Sequence, residues 1–98
     1  MAEVSWTPEA ADDFESITEF IAKDSSQYAQ LFALDVLETV EHLEEFPAMG
    51  RLVPELNDPV VREILFGSYR IIYRLQGGLV EILTIYHGAR LLDPKRLK

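Results

Sequence analysis

Apolar residues recur with a helical period at the start of the chain. A Thr-Pro-Glu sequence beginning at Thr7 supplies an N-cap, a proline at the first helical position and an acid favoured by the helix dipole. The apolar positions that follow lie three or four residues apart, with mostly charged residues between them, at Ala10, Phe14, Ile17 and Ile21. This pattern predicts an amphipathic helix over residues 8–23.

A second, longer helical pattern follows a polar break at residues 24–27. It runs to about Phe46, where Pro47 ends it. Its apolar arc spans about half the circumference and contains Tyr28, Phe32, Val36, Val40, Leu43 and Phe46, with Ala29, Ala33 and Leu37 beside them. Leu31 and Leu34 fall outside this arc, among acidic residues. They are either ordinary surface leucines or part of a partner-binding site.

The second half of the chain changes to strand-forming patterns. A loop over residues 47–59 is rich in Pro, Gly, Asn and Asp, and three β-like runs follow at 60–66, 69–75 and 79–87. Because Gly-Ser and Gln-Gly-Gly join these runs, they predict an antiparallel meander. With a short extended start at residues 4–6, the order is β-α-α-β-β-β. The prediction is a single α+β domain over residues 1–98, in which a helix hairpin packs on an antiparallel sheet.

Charge is divided between the two halves. The net charge is −8, but residues 1–46 hold twelve acids and one base, whereas residues 47–98 hold five acids and eight bases. The last residues, 91–98, form a short basic tail. Either the arginines of the second half compensate the acidic helices, or they form a binding surface.

The chain lacks the residues that several kinds of functional site require. The chain has no cysteine, which removes disulfides, thiolate nucleophiles and cysteine-based zinc sites. His42 and His87 share no metal-ligand spacing, and no phosphate-binding glycine loop is present, so we predict neither metal nor cofactor. We expect His42 to be a solvated surface residue. No apolar stretch approaches the roughly 20 residues of a membrane span, and no secretory signal is visible, which predicts a cytoplasmic protein.

Candidate chemistry centres on the middle strand of the meander. There Arg70 and Arg74 share one face with Ile72, while Tyr69, Ile71 and Tyr73 share the other. Since the apolar set should face the helices, we expect both arginines on the open face, with Tyr73 and Tyr86 adding aromatic surface. Further basic residues lie nearby in the sequence, at Arg51, Arg62, His87 and Arg90.

Arginines beside a histidine are suited to phosphodiesters, because guanidinium pairs bidentately with phosphate and imidazole transfers protons near neutral pH. The alternative is structural pairing with the acidic helices or with Glu63 and Glu81. For Arg62 and Arg74 we favour the structural role, and for Arg70 we favour function.

Nearly the whole chain resembles the RelE/ParE toxins of type II toxin–antitoxin systems. The resemblance lies in the order of five segments, residues 4–14, 46–51, 61–64, 67–74 and 82–90. It implies the family's fold, two helices packed on an antiparallel sheet. It also implies a cognate antitoxin as partner, in a hetero-oligomer, with Leu31 and Leu34 as candidate antitoxin contacts.

The family contains two activities. RelE-like members cut mRNA on the ribosome, and ParE-like members inhibit DNA gyrase without being known as nucleases. By position, Arg70 matches the arginine that RelE-like enzymes use on the phosphate, and His87 and Arg90 lie where those enzymes place further catalytic residues.

The Gly50-Arg51 loop and the ending at residues 86–90 look more like ParE, and the chain lacks the lysine-rich character of RelE. The resemblance therefore implies a ParE-like, non-enzymatic toxin directed at gyrase, whose target-binding candidates are Arg51, Arg62, Arg70, Arg74 and Arg90. The alternatives are a RelE-like endoribonuclease, with the ribosome and mRNA as partners, and a non-toxic antitoxin-binding module.

Overall fold

In the computed structural model, which describes residues 1–88, Ser25 lies between the two helices. Its N–H donates to the carbonyl of Ile21, 2.9 Å away, and ends α1 (Pro8–Asp24). Its Oγ accepts from the N–H of Tyr28 at 3.2 Å and starts α2 (Ser26–Glu45). Because one residue caps both helices, the chain reverses at once and the helices form a hairpin.

Five strands form one sheet in the order β1-β5-β4-β3-β2. They are β1 (Glu3–Trp6), β2 (Arg51–Leu52), β3 (Val61–Phe66), β4 (Tyr69–Gln76) and β5 (Leu79–His87). The last three form the predicted antiparallel meander. β1 lies parallel to β5. A parallel pair needs a long crossover connection, and the helix hairpin is part of the connection between these two strands.

The predicted α+β fold class and helix hairpin on a sheet are confirmed. Two details differ. The sheet is mixed, since its β1–β5 pairing is parallel, and it contains β2, a strand of two residues within the predicted loop. Two residues are too short for an alternating pattern, so this strand has no sequence signal. Neither described helix is apolar enough to cross a membrane. The predicted basic tail and Arg90 lie outside the described residues.

The core between the hairpin and the sheet is built on a narrow stripe of α2. The buried residues of this helix are Ala29, Phe32, Val36, Val40 and Leu43. All of them except Ala29 belong to one cluster with residues of β4 and β5, among them Ile71, Tyr73 and Ile82, all fully buried. Tyr28, Leu37 and Phe46, which the helical arc included, are exposed instead.

The opposite face of the sheet is covered as well. The loop from Val53 to Val60 lies over it and closes a second, smaller core that contains Val53, Val61, Ile72, Leu83 and Tyr86. The expectation of an open face is therefore wrong for this part of the sheet. Tyr73 and Tyr86 do not add aromatic surface, because both are buried.

A bulge breaks the alternation of side chains along β5. Ile72 pairs with Thr84 but Tyr73 pairs with Ile82, so Leu83 is an extra residue. Ile82 and Ile85 consequently both pack on the helix side, which strict alternation would forbid. Past the end of β1, Asp13 accepts hydrogen bonds from the Thr84 hydroxyl and, at 3.3 Å, from the Ile85 N–H. The Asp13 carboxylate thereby accepts hydrogen bonds from β5 residues that lie beyond the β1–β5 pairing, which ends at Ile82.

Candidate functional site

A cavity of about 490 Å³ opens where the β3–β4 turn meets the end of β5. The loop before β3 closes its other side. The lining residues are Arg51, Pro54, Glu55, Leu65, Gly67, Ser68, Tyr69, Arg70, His87 and Gly88. Three of the sequence candidates, Arg51, Arg70 and His87, therefore border one cavity.

Arg70 is buried rather than exposed, and two carboxylates hold it. Its Nη1 and Nη2 donate to the two oxygens of Glu55 at 2.6 and 2.8 Å, a bidentate pair. Its Nε donates to Oε1 of Glu63 at 2.7 Å, and its Nη2 lies 2.5 Å from the same oxygen. The hydrogen bonds that Arg70 donates to Glu55, reinforced by Glu63, raise the pKa of Arg70 above its ordinary value. Its guanidinium is fully engaged within the protein.

The second oxygen of Glu63 binds Arg51. Arg51 Nε donates to Oε2 of Glu63 at 2.6 Å, since Arg51 and Glu63 are direct partners across the β2–β3 ladder. The four residues form a chain, Arg51–Glu63–Arg70–Glu55, which we call the Arg70 network. It contains two positive and two negative charges, so its formal net charge is zero.

The Arg62 and Arg74 side chains both contact partners within the protein. Arg74 Nη1 lies 3.0 Å from Oε1 of Glu81, its cross-strand partner. Arg62 Nη1 donates to the carbonyl of Gly50 at 2.7 Å instead of pairing with an acid. That contact helps to hold the segment that carries Arg51.

Tyr73 fixes the same segment from the core. Its hydroxyl donates to the carbonyl of Pro47 at 2.7 Å and accepts from the N–H of Gly50 at 2.9 Å. Burial raises the pKa of Tyr73, which favours the neutral hydroxyl that makes both bonds. Strand alternation placed Tyr73 on the core face, but this long-range contact has no local sequence signal.

His87 lies on the other face of the sheet from Arg70. It pairs across the ladder with Tyr69, and the two rings meet edge to face at 5.3 Å between centroids. Tyr69 packs against the helix-side core, whereas Glu55 and Glu63 hold Arg70 on the opposite face. Both residues border the cavity, but their side chains leave the sheet in opposite directions.

The second histidine, His42, is not part of the site. It is exposed on α2 and is not among the residues that line the cavity. Within residues 1–88, no group of three His, Asp or Glu side chains is arranged to hold a metal ion. Glu55 is the main residue that sequence analysis missed. Its only local signal is an acid between apolar residues in a proline-rich loop.

Leu31 and Leu34 are both exposed on α2, with 50% and 63% of their surface accessible. An apolar groove of about 430 Å³ runs between the helices and is lined in part by Trp6, Phe14 and Leu37. Leu31 and Leu34 do not line this groove, but Leu34 lies one helical turn before Leu37 on α2. We call the two exposed leucines together with the groove the hairpin surface.

The family model of the ParE toxin of type II toxin–antitoxin systems (parDE) matches residues 4–92. The chain belongs to this toxin family. Its sequence is also 37% identical over 92 residues to Toxin RelE2 of Caulobacter vibrioides, covering 93% of this chain and 100% of that protein. The resemblance to RelE/ParE toxins is therefore confirmed.

Two solved structures share the fold of this ParE-family chain. A chain of the chromosomal ParDE toxin–antitoxin system from P. aeruginosa superposes with a TM-score of 0.72 at 24% identity, covering 89% of this chain and 96% of that one. A chain of the RelBE2 toxin–antitoxin complex from Mycobacterium tuberculosis gives 0.62 at 22% identity, with 88% and 96% covered. At these identities the two structures support the fold.

Proposed function

We propose that this chain is a ParE-like toxin that acts on DNA gyrase in the cytoplasm as a binding protein and not as a nuclease. The supporting observation is the state of Arg70. The residue that would hold the scissile phosphate in a RelE-like enzyme is bound to Glu55 and Glu63. Binding a phosphate there requires breaking the partly buried, charge-assisted pair of Arg70 with Glu55.

The position of His87 supports the same proposal. A general acid or base has to reach the reacting phosphodiester within hydrogen-bond distance while a cation stabilises its charge. Here His87 and Arg70 leave the sheet on opposite faces. The net charge of −8 also disfavours approach to a ribosomal RNA surface, because association with nucleic acid is driven by phosphate neutralisation.

One observation favours the second candidate, a RelE-like ribonuclease. The relative at 37% identity is named Toxin RelE2, and this chain covers its whole length. Both candidates are therefore tested together.

We expect the purified protein to inhibit supercoiling by purified gyrase or to accumulate cleaved gyrase–DNA complexes. In parallel, a translating extract should show no codon-dependent cuts in its mRNA by primer extension. Gyrase that is unaffected by a large excess of the protein would refute the proposal.

If mRNA is cut, exposed His87 provides the cleanest variant, with exposed His42 as its matched control. Cuts that are lost in His87→Ala and kept in His42→Ala would establish the ribonuclease instead. Normal growth on expression of this chain alone would favour the non-toxic binding module.

We also propose that a cognate antitoxin binds the hairpin surface in a hetero-oligomer. Leu31 and Leu34 are exposed there, and Leu34 lies one helical turn from Leu37, which lines the apolar groove. The surrounding residues are predominantly acidic, so the complementary segment should combine apolar anchors with basic residues.

A charge within this surface should weaken the complex. We expect Leu34→Glu to reduce affinity for the cognate antitoxin by about tenfold or more, since an apolar contact is replaced by a desolvated charge. Leu79→Glu, at an exposed apolar position at the start of β5, is the matched control. Titration calorimetry measures both, and equal affinities would remove Leu34 from the interface.

A further inference from the structure

The guanidinium of Arg70 is held by two carboxylates of different character. Glu63 belongs to β3 and its side chain is fully buried, with a second partner in Arg51. Glu55 belongs to the covering loop, and 27% of its side-chain surface is accessible. The Glu63 carboxylate is therefore held inside the protein by two arginines, whereas Glu55 contacts Arg70 from the solvent side.

The Glu55 contact has the geometry of a bound ligand. Two parallel N–H···O bonds of 2.6 and 2.8 Å, one from each terminal nitrogen, are how arginine binds a free carboxylate or a phosphate group. The cavity of about 490 Å³ opens beside this pair and is lined by both residues. A group that takes the place of Glu55 therefore has room to continue into a larger molecule.

We propose that the outer side of Arg70 is an oxyanion-binding site that Glu55 occupies in cis. Without the Glu55 charge, the Arg70 network holds two arginines and one glutamate, so the local charge becomes +1. The ligand is a group with two accepting oxygens on one centre, a carboxylate or a phosphate. Glu55 blocks it by occupying the same donors.

Occupation in cis lowers the apparent affinity for an external anion without destroying the site. Only the fraction of molecules in which Glu55 has left Arg70 can bind, and the apparent dissociation constant rises by the inverse of that fraction. Neutralising Glu55 should remove this competition while Glu63 still orients Arg70. The inference concerns anion binding alone and does not depend on gyrase as the target.

Glu55→Gln is the variant that tests this competition, because glutamine keeps the shape of the side chain and removes its charge. The variant is titrated with sodium phosphate and, separately, with sodium acetate, at constant ionic strength in chloride. Amide resonances of residues 67–70 and 88 report on the cavity by NMR. We expect saturable shifts with one or both anions, at an affinity about tenfold or more above that of the wild type.

Glu81→Gln is the matched control. It also removes a carboxylate from a half-exposed arginine pair, that of Arg74, outside the cavity lining. It should show no saturable response at residues 67–70. Saturation by phosphate identifies a phosphate site, and saturation by acetate alone identifies a carboxylate site. Either one supports the proposal.

No saturable shift in Glu55→Gln, an affinity equal to that of the wild type, or the same response in Glu81→Gln would overturn it. Glu55→Ala is a second variant that removes the same charge without introducing an amide. Loss of the folded spectrum in both variants would show that Glu55 is a structural anchor, and would overturn the proposal too.

Discussion

Arg70→Met should lower the free energy of unfolding by about 3 kcal/mol. Glu63 is 1% exposed and Arg70 6% exposed, so the substitution leaves a carboxylate in the interior with Arg51 as its one remaining ion-pair partner among residues 1–88. The loss of half of a buried ion pair is costly because the remaining charge stays desolvated. Urea denaturation followed by circular dichroism measures the change, provided that the slope with denaturant is unchanged.

Two further variants separate this effect from a simple loss of packing. Glu63→Met/Arg70→Met removes both charges and should cost less than the single substitution, since two apolar side chains replace the pair. Arg74→Met breaks an ion pair whose side chains are 30% and 35% exposed, and should cost less than about 1 kcal/mol. The explanation fails if Arg70→Met costs no more than Arg74→Met.

Gly50→Ala should also destabilise the protein by about 3 kcal/mol, through overpacking. An added Cβ would lie 2.7 Å from the carbonyl oxygen of Glu63 and 2.7 Å from the hydroxyl of Tyr73. Neither group moves easily, because Glu63 is held in the β3 ladder and Tyr73 is fully buried. The cost should appear in urea denaturation, and relief of the clash should displace β2 and with it Arg51.

Met49 provides the neighbouring control. It is 45% exposed, and Met49→Ala should change stability by no more than about 0.5 kcal/mol. Tyr73→Phe removes the hydroxyl but not the Glu63 carbonyl, so Gly50→Ala/Tyr73→Phe should cost less than the sum of its single substitutions. Equal stabilities of Gly50→Ala and Met49→Ala would show that the close approach is not constraining.

Local pattern predicted most of the elements of the fold. Helices expected at residues 8–23 and up to about Phe46 are found at Pro8–Asp24 and Ser26–Glu45, and the three strands of the meander agree within a residue or two. These elements have caps, prolines and apolar periods of their own, which are properties of neighbouring residues. Strand alternation likewise placed Arg70 on the face opposite the helices.

The candidate site was predicted less well, because its decisive contacts join distant segments. Arg70 was expected to be exposed, but Glu55, fifteen residues earlier in the chain, covers and neutralises it. His87 was placed near Arg70 by sequence, yet it lies on the opposite face of the sheet. The hydroxyl of Tyr73 holds Gly50 from 23 residues away.

The sequence by itself determined the helix hairpin, the meander and the family to which they belong, since each rests on local periodicity or on the order of short motifs. Only the tertiary structure decided that the covering loop closes the second face, that the bulge at Leu83 breaks the alternation of β5, and that Arg70 is neutralised. The physical reason is that these features depend on strand register and loop placement. Both are set by packing between segments that are distant in the sequence, so they produce no local sequence pattern.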